Sequence, residues 1–120
     1  MTFLTKSIRN RLLANGRKQI EALETDAETE IDFRPVVKLF TPDANCTWLL
    51  TEIDPDAPEI AFGLSDLGLG FPELGTVSLS DLAALRGYLG LPVEIDRHFK
   101  ATKPISRYAA DARRAGRIVT

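Results

Sequence analysis

The apolar positions near the start of the chain recur at helical spacing. Leu4, Ile8, Leu12, Ile20 and Leu23 form one stripe, and Leu13 widens it. The spacing predicts an amphipathic helix, with Thr5 or Ser7 able to cap its start. Asn15-Gly16 reads as a stop signal, because both residues tolerate the left-handed conformation that ends helices. The stripe resumes beyond them, so either a break or two short helices is expected. Residues 24–32 (ETDAETEID) alternate acids with small residues and have no apolar face. They predict an acidic mobile loop.

The period then changes. Residues 36–41 are β-branched and apolar, residues 42–45 carry turn chemistry, and residues 46–53 form a second apolar run, so a β-hairpin is expected. Strict alternation along the second run groups Thr47, Leu49, Thr51 and Ile53 on one face, with Trp48, Leu50 and Glu52 on the other. Pro55 and Pro58 end it. Residues 60–65 give a third strand and 74–79 a fourth, joined by the glycine-rich stretch 68–72. The connections are too short for parallel crossovers, which makes the arrangement an antiparallel meander. Ser80 is the expected N-cap of a short middle helix with Leu82 and Leu85 buried and Gly87 as its stop. Residues 91–93 and 96–100 look extended and supply an edge strand. Pro104 opens a final helix that buries Ile105, Tyr108, Ala109 and Ala112 and stops at Gly116. The fold class is therefore α+β. One domain spans residues 1–120, with a four- to five-stranded antiparallel meander sheet packed by N-terminal, middle and C-terminal helices.

Composition leaves that picture standing. A chain of 120 residues, 44% hydrophobic and 27% charged, can bury an ordinary core. No apolar run approaches the ~20 residues of a membrane span, and no membrane partner is expected. The N-terminus lacks a signal-peptide apolar region. One cysteine, Cys46, cannot form an internal disulfide, which fits a reducing compartment. The expected location is the cytoplasm.

Charge adds more. The net charge is −2, but its distribution is uneven. Residues 6–18 carry five bases and no acid, 21–32 six acids and no base, 43–96 ten acids against one base, and 97–117 seven bases against one acid. Such segregation either balances itself within the fold or builds acidic and basic faces for partners.

The inventory for chemistry is thin. One cysteine and one histidine exclude zinc-finger and paired-cysteine sites, and neither a metal nor a cofactor is expected. His98 with Asp96 and Glu94, or Cys46 with His98 and a carboxylate, are the material for an alternative reading as an uncharacterised enzyme with a His/carboxylate site. The glycines at 63, 68, 70 and 75 lack phosphate-loop spacing and sit beside Asp66 and Glu73. Trp48 is either a core anchor or the centre of a binding patch with Phe71. Nucleic-acid binding through Arg9, Arg11, Arg17 and Lys18 of the first helix and Arg107, Arg113 and Arg114 of the last is a second alternative. Against it stands an isoelectric point near 5.4. The acidic middle also admits mimicry of a nucleic acid.

Several motifs occur in a distinctive order. The basic helix ends in Leu13-Ala14-Asn15-Gly16. The hairpin pairs Val37-Lys38-Leu39-Phe40-Thr41-Pro42-Asp43 with Thr47-Trp48-Leu49-Leu50-Thr51-Glu52. Phe62-Gly63-Leu64 leads through Gly68-Leu69-Gly70-Phe71-Pro72-Glu73-Leu74-Gly75 to Ser78-Leu79, Leu85-Arg86-Gly87, Leu91-Pro92-Val93-Glu94 and His98-Phe99. Over nearly its whole length the chain resembles the bacterial domain-of-unknown-function family 2958. The chain departs from the expected pattern at Ile95-Asp96-Arg97. The resemblance implies a small accessory protein of plasmids, phages or integrative elements. It transfers no catalytic residue or cofactor.

The expected function is therefore non-enzymatic protein binding, with inhibition of a host defence or DNA-processing system as its setting. The expected surface is Asp43, Asn45, Trp48, Glu52, Asp66, Phe71 and Glu73.

Overall fold

The computed structural model describes residues 3–26 and 28–120. The first apolar stripe folds as one uninterrupted helix, α1 (Lys6–Thr25), capped by the Thr5 hydroxyl, which accepts from the Ile8 N–H at 3.2 Å. Asn15-Gly16 is not a stop. Gly16 is buried against the sheet, where an added Cβ would lie 1.8 Å from the Ile53 carbonyl oxygen. The Asn15 side-chain amide donates to the Thr51 carbonyl at 2.9 Å. The pair is a docking device, and helix continuity follows because tertiary contact outweighs local propensity. α1 also takes Glu24 and Thr25 from the expected acidic loop. Ala27 of that loop lies outside the described residues. Farther along, the Gln19 amide both donates to and accepts from the Ile31 backbone, at 3.0 and 2.9 Å.

Five strands follow: β1 (Val37–Phe40), β2 (Thr47–Ile53), β3 (Ile60–Asp66), β4 (Glu73–Ser78) and β5 (Glu94–Ile95). They form one sheet in the order β4-β3-β2-β1-β5, and every neighbouring pair is antiparallel. The meander is as expected from the short connections. Of the expected edge segment only β5 pairs with the sheet, held to β1 by the pairs Leu39–Ile95 and Phe40–Glu94, so the extended stretches 91–93 and 96–100 flank it instead of forming it.

Strict alternation fails in β2. Leu50 pairs with Gly63, but Phe62 pairs with Glu52, which leaves Thr51 as the extra residue of a bulge. Side chains beyond it change face. Trp48, Leu50 and Ile53 join the core beneath α1, whereas Leu49 joins the core on the opposite face, beneath α3. The expected grouping of Ile53 with Leu49 is thus corrected. The Asn15 side chain donates to the carbonyl of this extra residue, Thr51.

The middle helix, α2 (Leu79–Ala84), starts earlier than expected. Its N-cap is Ser78, not Ser80. Ser78 ends β4 with extended dihedrals suited to a cap, and its hydroxyl accepts from the Asp81 N–H at 3.2 Å. α2 ends before Leu85, which is exposed, and Gly87 lies beyond it. The final helix, α3 (Ile105–Ala115), buries Ile105, Tyr108, Ala109 and Ala112 and stops at Gly116, whose φ is 74°. Asp32 reaches from the acidic segment to accept the Ser106 N–H at 3.1 Å, placing a carboxylate at the α3 N-terminus. Leu79 and Leu82 of α2 join the α1-side core, and Ile118 closes the α3 side. Among the described residues no helix is long and apolar enough to cross a membrane.

Candidate functional site

Register places three connections at one end of the sheet. The β1–β2 turn closes at Phe40–Thr47, and Thr47 pairs with Asp66 where β3 ends. Ser65 pairs with Glu73 at the start of β4, and Phe40 pairs with Glu94 at the start of β5. The β1–β2 turn, the β3–β4 loop and the α2–β5 loop therefore emerge together. On them Leu67, Leu69, Phe71, Tyr88, Leu89 and Leu91 expose between 43% and 89% of their surface. Asn45 and Glu73 are exposed at the same end.

Two of the expected surface acids hold these loops in place. One Asp43 carboxylate oxygen accepts from the Leu89 and Leu91 N–H groups at 2.6 and 3.2 Å. The other is buried, without a hydrogen-bond partner among the described residues, close against Gly87, where a Cβ would come within 1.6 Å of it. Asp66 is also buried. It accepts from the Gly68 and Ile118 N–H groups, both at 2.9 Å, and so ties the β3–β4 loop to the C-terminal tail. Both residues are positioning groups, which corrects their reading as presented acids.

Trp48 is corrected further. It is 2% exposed and faces α1, so it is a core anchor. The reason is the pleat: Trp48 lies opposite Leu39 and shares the α1 face with Leu50. Glu52 lies at the far end of β2, half-buried, away from the rim. It lines a hollow of about 210 Å³ with Phe62, Leu74 and Ile105.

Burial pushes the Glu52 carboxyl above its ordinary value; hydrogen bonds with Gln19 and Thr51 pull it back in part, and the Glu30 charge raises it further. A carboxyl with a raised folded pKa binds its proton more tightly in the folded state. Its stabilising contribution is then full below the unfolded value and is lost as pH rises through the folded one. Glu52→Gln is accordingly expected to raise the melting temperature at about pH 7 and to leave it unchanged at about pH 3.5. Melts at both pH values check this, and an equal shift at both would refute the electrostatic origin.

The material for the enzyme alternative divides between two hollows that share Asp96. Cys46 lines a cleft of about 670 Å³ between the hairpin and the C-terminal tail, with Asp66 and Asp96. His98 lines a different hollow, with Asp96 and Tyr108. Burial pushes the Cys46 thiol above its ordinary pKa, the Thr41 hydrogen bond lowers it and the Asp66 charge raises it. That environment disfavours the thiolate. Lys38 lies 3.6 Å from Asp96 and donates to the Thr120 hydroxyl at 2.7 Å. No group of three or more His, Cys, Asp or Glu side chains among the described residues could hold a metal ion.

The basic residues do not form one surface. α1 and α3 cover opposite faces of the sheet. Arg107, Arg113 and Arg114 lie exposed on α3, with Arg114 paired to Asp111, which also binds Lys103. Arg9 is half-buried and Arg17 exposed, while Arg11 and Lys18 line a groove with Arg34 and Lys100.

Sequence reasoning named Phe71, Asn45 and Glu73 at the rim and missed Leu67, Leu69, Tyr88, Leu89 and Leu91. Their signal was present: Leu67-Gly68-Leu69-Gly70-Phe71 and Tyr88-Leu89-Gly90-Leu91-Pro92 place apolar residues among glycines and proline, where no regular element can bury them.

No curated protein and no solved structure gives a significant match to this chain. The family model described as "Protein of unknown function (DUF2958)" matches residues 3–119, and over that span, which holds both the loop rim and the two acids that position it, the chain belongs to this family.

Proposed function

We propose that this chain is a non-enzymatic accessory protein that binds another protein through the loop rim at one end of its sheet. The observation that carries the reading is the convergence there of six exposed apolar side chains, on loops tied down by Asp43 and Asp66. Exposed apolar side chains gathered at one end of a protein surface are candidates for an interaction site. Aromatic side chains such as Phe71 and Tyr88 are of the types enriched among binding hot spots. Tying the loops down beforehand reduces the entropy lost on association. The family resemblance supports a mobile genetic element as the setting and inhibition of a host defence or DNA-processing system as the role.

The test is capture of the partner from bacterial extract by the wild-type chain and by the Phe71→Ser, Leu89→Ser double variant. Both positions are exposed, so the melting temperature should move little. Recovery is expected to fall at least tenfold, since two hot-spot side chains together exceed 2 kcal/mol. Equal recovery by both proteins would defeat the proposal.

A further inference from the structure

A second surface lies away from the rim. α1, residues 33–36 and residues 99–101 enclose a groove of about 620 Å³, within the ~300–1,000 Å³ range of ligand clefts. Val36 leads into the end of β1 opposite the rim, its N–H donating to the Leu50 carbonyl. Arg11 and Lys18 come from α1, seven residues apart and thus about 10 Å apart along the axis. Arg34 and Lys100 come from the other two segments.

All four cations are exposed, and among the described residues none forms an ion pair and no carboxylate lines the groove. Asp32, the nearest acid in sequence to Phe33 and Arg34, is engaged by the Ser106 N–H and hydroxyl. The groove lining itself thus carries four positive charges and no negative one, although the whole chain is slightly acidic.

Two aromatic side chains line the same groove, each next to one of its cations: Phe33-Arg34 and Phe99-Lys100. Both are half-buried, Phe33 with its backbone held and Phe99 with its ring packed against the α3-side core. The Phe33 carbonyl accepts from the Ile105 N–H at 2.8 Å, and the Phe99 ring lies 6.2 Å from that of Tyr108. Cations without acids attract phosphates, and aromatic rings offer faces to unpaired bases. A duplex keeps its bases stacked and cannot use such rings.

We propose that this groove binds single-stranded nucleic acid, with phosphates at Arg11, Lys18, Arg34 and Lys100 and bases at Phe33 and Phe99. The site is independent of the rim.

Fluorescence anisotropy with a labelled single strand of about eight nucleotides tests it, beside the same sequence as a duplex and beside inorganic polyphosphate. Four phosphate contacts predict a slope of log affinity against log salt of about −3. Arg34→Gln with Lys100→Gln is expected to halve that slope and weaken binding about 25-fold near ~0.1 M salt. Phe33→Leu should weaken the oligonucleotide about fivefold or more and leave polyphosphate unaffected. Arg113→Gln with Arg114→Gln, and the Phe71→Ser, Leu89→Ser variant, should bind as wild type does. Absence of salt-dependent binding, equal affinity for duplex or polyphosphate, or indifference to the Arg34 and Lys100 changes would each overturn the assignment.

Discussion

Trp48→Ala is expected to destabilise the protein by about 3–5 kcal/mol, the range for removing a large aromatic side chain from a packed core. Trp48 is among the largest fully buried side chains of the sheet. It packs in the core that holds Leu12 of α1, Leu39 of β1 and Leu50 of β2. Truncation removes the apolar contacts of the indole and leaves a void that backbone on three neighbouring strands cannot easily fill. Typical domains are stable by only about 5–15 kcal/mol, so this one change consumes a large part of the margin. Phe71→Ala, at 80% exposure, should stay within about 0.5 kcal/mol of wild type. Urea unfolding of both variants gives the comparison. A Trp48→Ala midpoint close to wild type would show that the residue is not a core anchor. The contrast also determines how binding is tested. Loss of a partner on Trp48→Ala would report unfolding, whereas loss on Phe71→Ser with Leu89→Ser reports the rim.

Gly16→Ala has the next largest expected effect, and its sign opposes local propensity. In an open helix interior, alanine is favoured over glycine by about 1 kcal/mol. Here the new Cβ would lie 1.8 Å from the Ile53 carbonyl oxygen and 3.1 Å from the Pro55 ring. The obstacle is backbone, so α1 itself must move outward by more than an ångström. That motion also stretches the Asn15 bond to the Thr51 carbonyl. Overpacking of this kind costs about 1–3 kcal/mol and sometimes more. The displacement puts this case at the upper end, leaving a net loss of about 2 kcal/mol after the propensity gain. Chemical denaturation checks it, with Arg17→Ala on the exposed side as the control that should change little. A Gly16→Ala protein more stable than wild type would mean that α1 does not approach β2 this closely.

These cases mark where sequence reading succeeds and where it does not. α3 was legible almost to the residue: Ile105, Tyr108, Ala109 and Ala112 share a helical face, and Gly116 takes the left-handed conformation at its end. The β1–β2 hairpin was legible because its turn residues and both apolar runs are contiguous. Asn15-Gly16 misled because the same small residues serve a stop or a close helix–sheet approach, and the deciding carbonyl belongs to Ile53. At the rim, Phe71 was visible as an aromatic in a loop, but that Tyr88 and Leu89 emerge at the same end of the sheet follows from strand register alone. Asp43 and Asp66 read in the sequence as presented acids, whereas their backbone donors are Leu89, Leu91, Gly68 and Ile118, which only the fold brings to them.

The sequence by itself determined the α+β class, the order of helices and strands, the antiparallel meander and the family, because periodicity, turn chemistry and caps are written in neighbouring residues. Only the tertiary structure decided that Trp48 is core, that Thr51 makes a bulge and reverses the face of Ile53, that three loops bearing exposed apolar side chains emerge at one end of the sheet, and that Arg34 and Lys100 join Arg11 and Lys18 across a groove. Each of these depends on residues distant in the chain coming within contact range, and burial and local field are properties of that packing, not of any short segment.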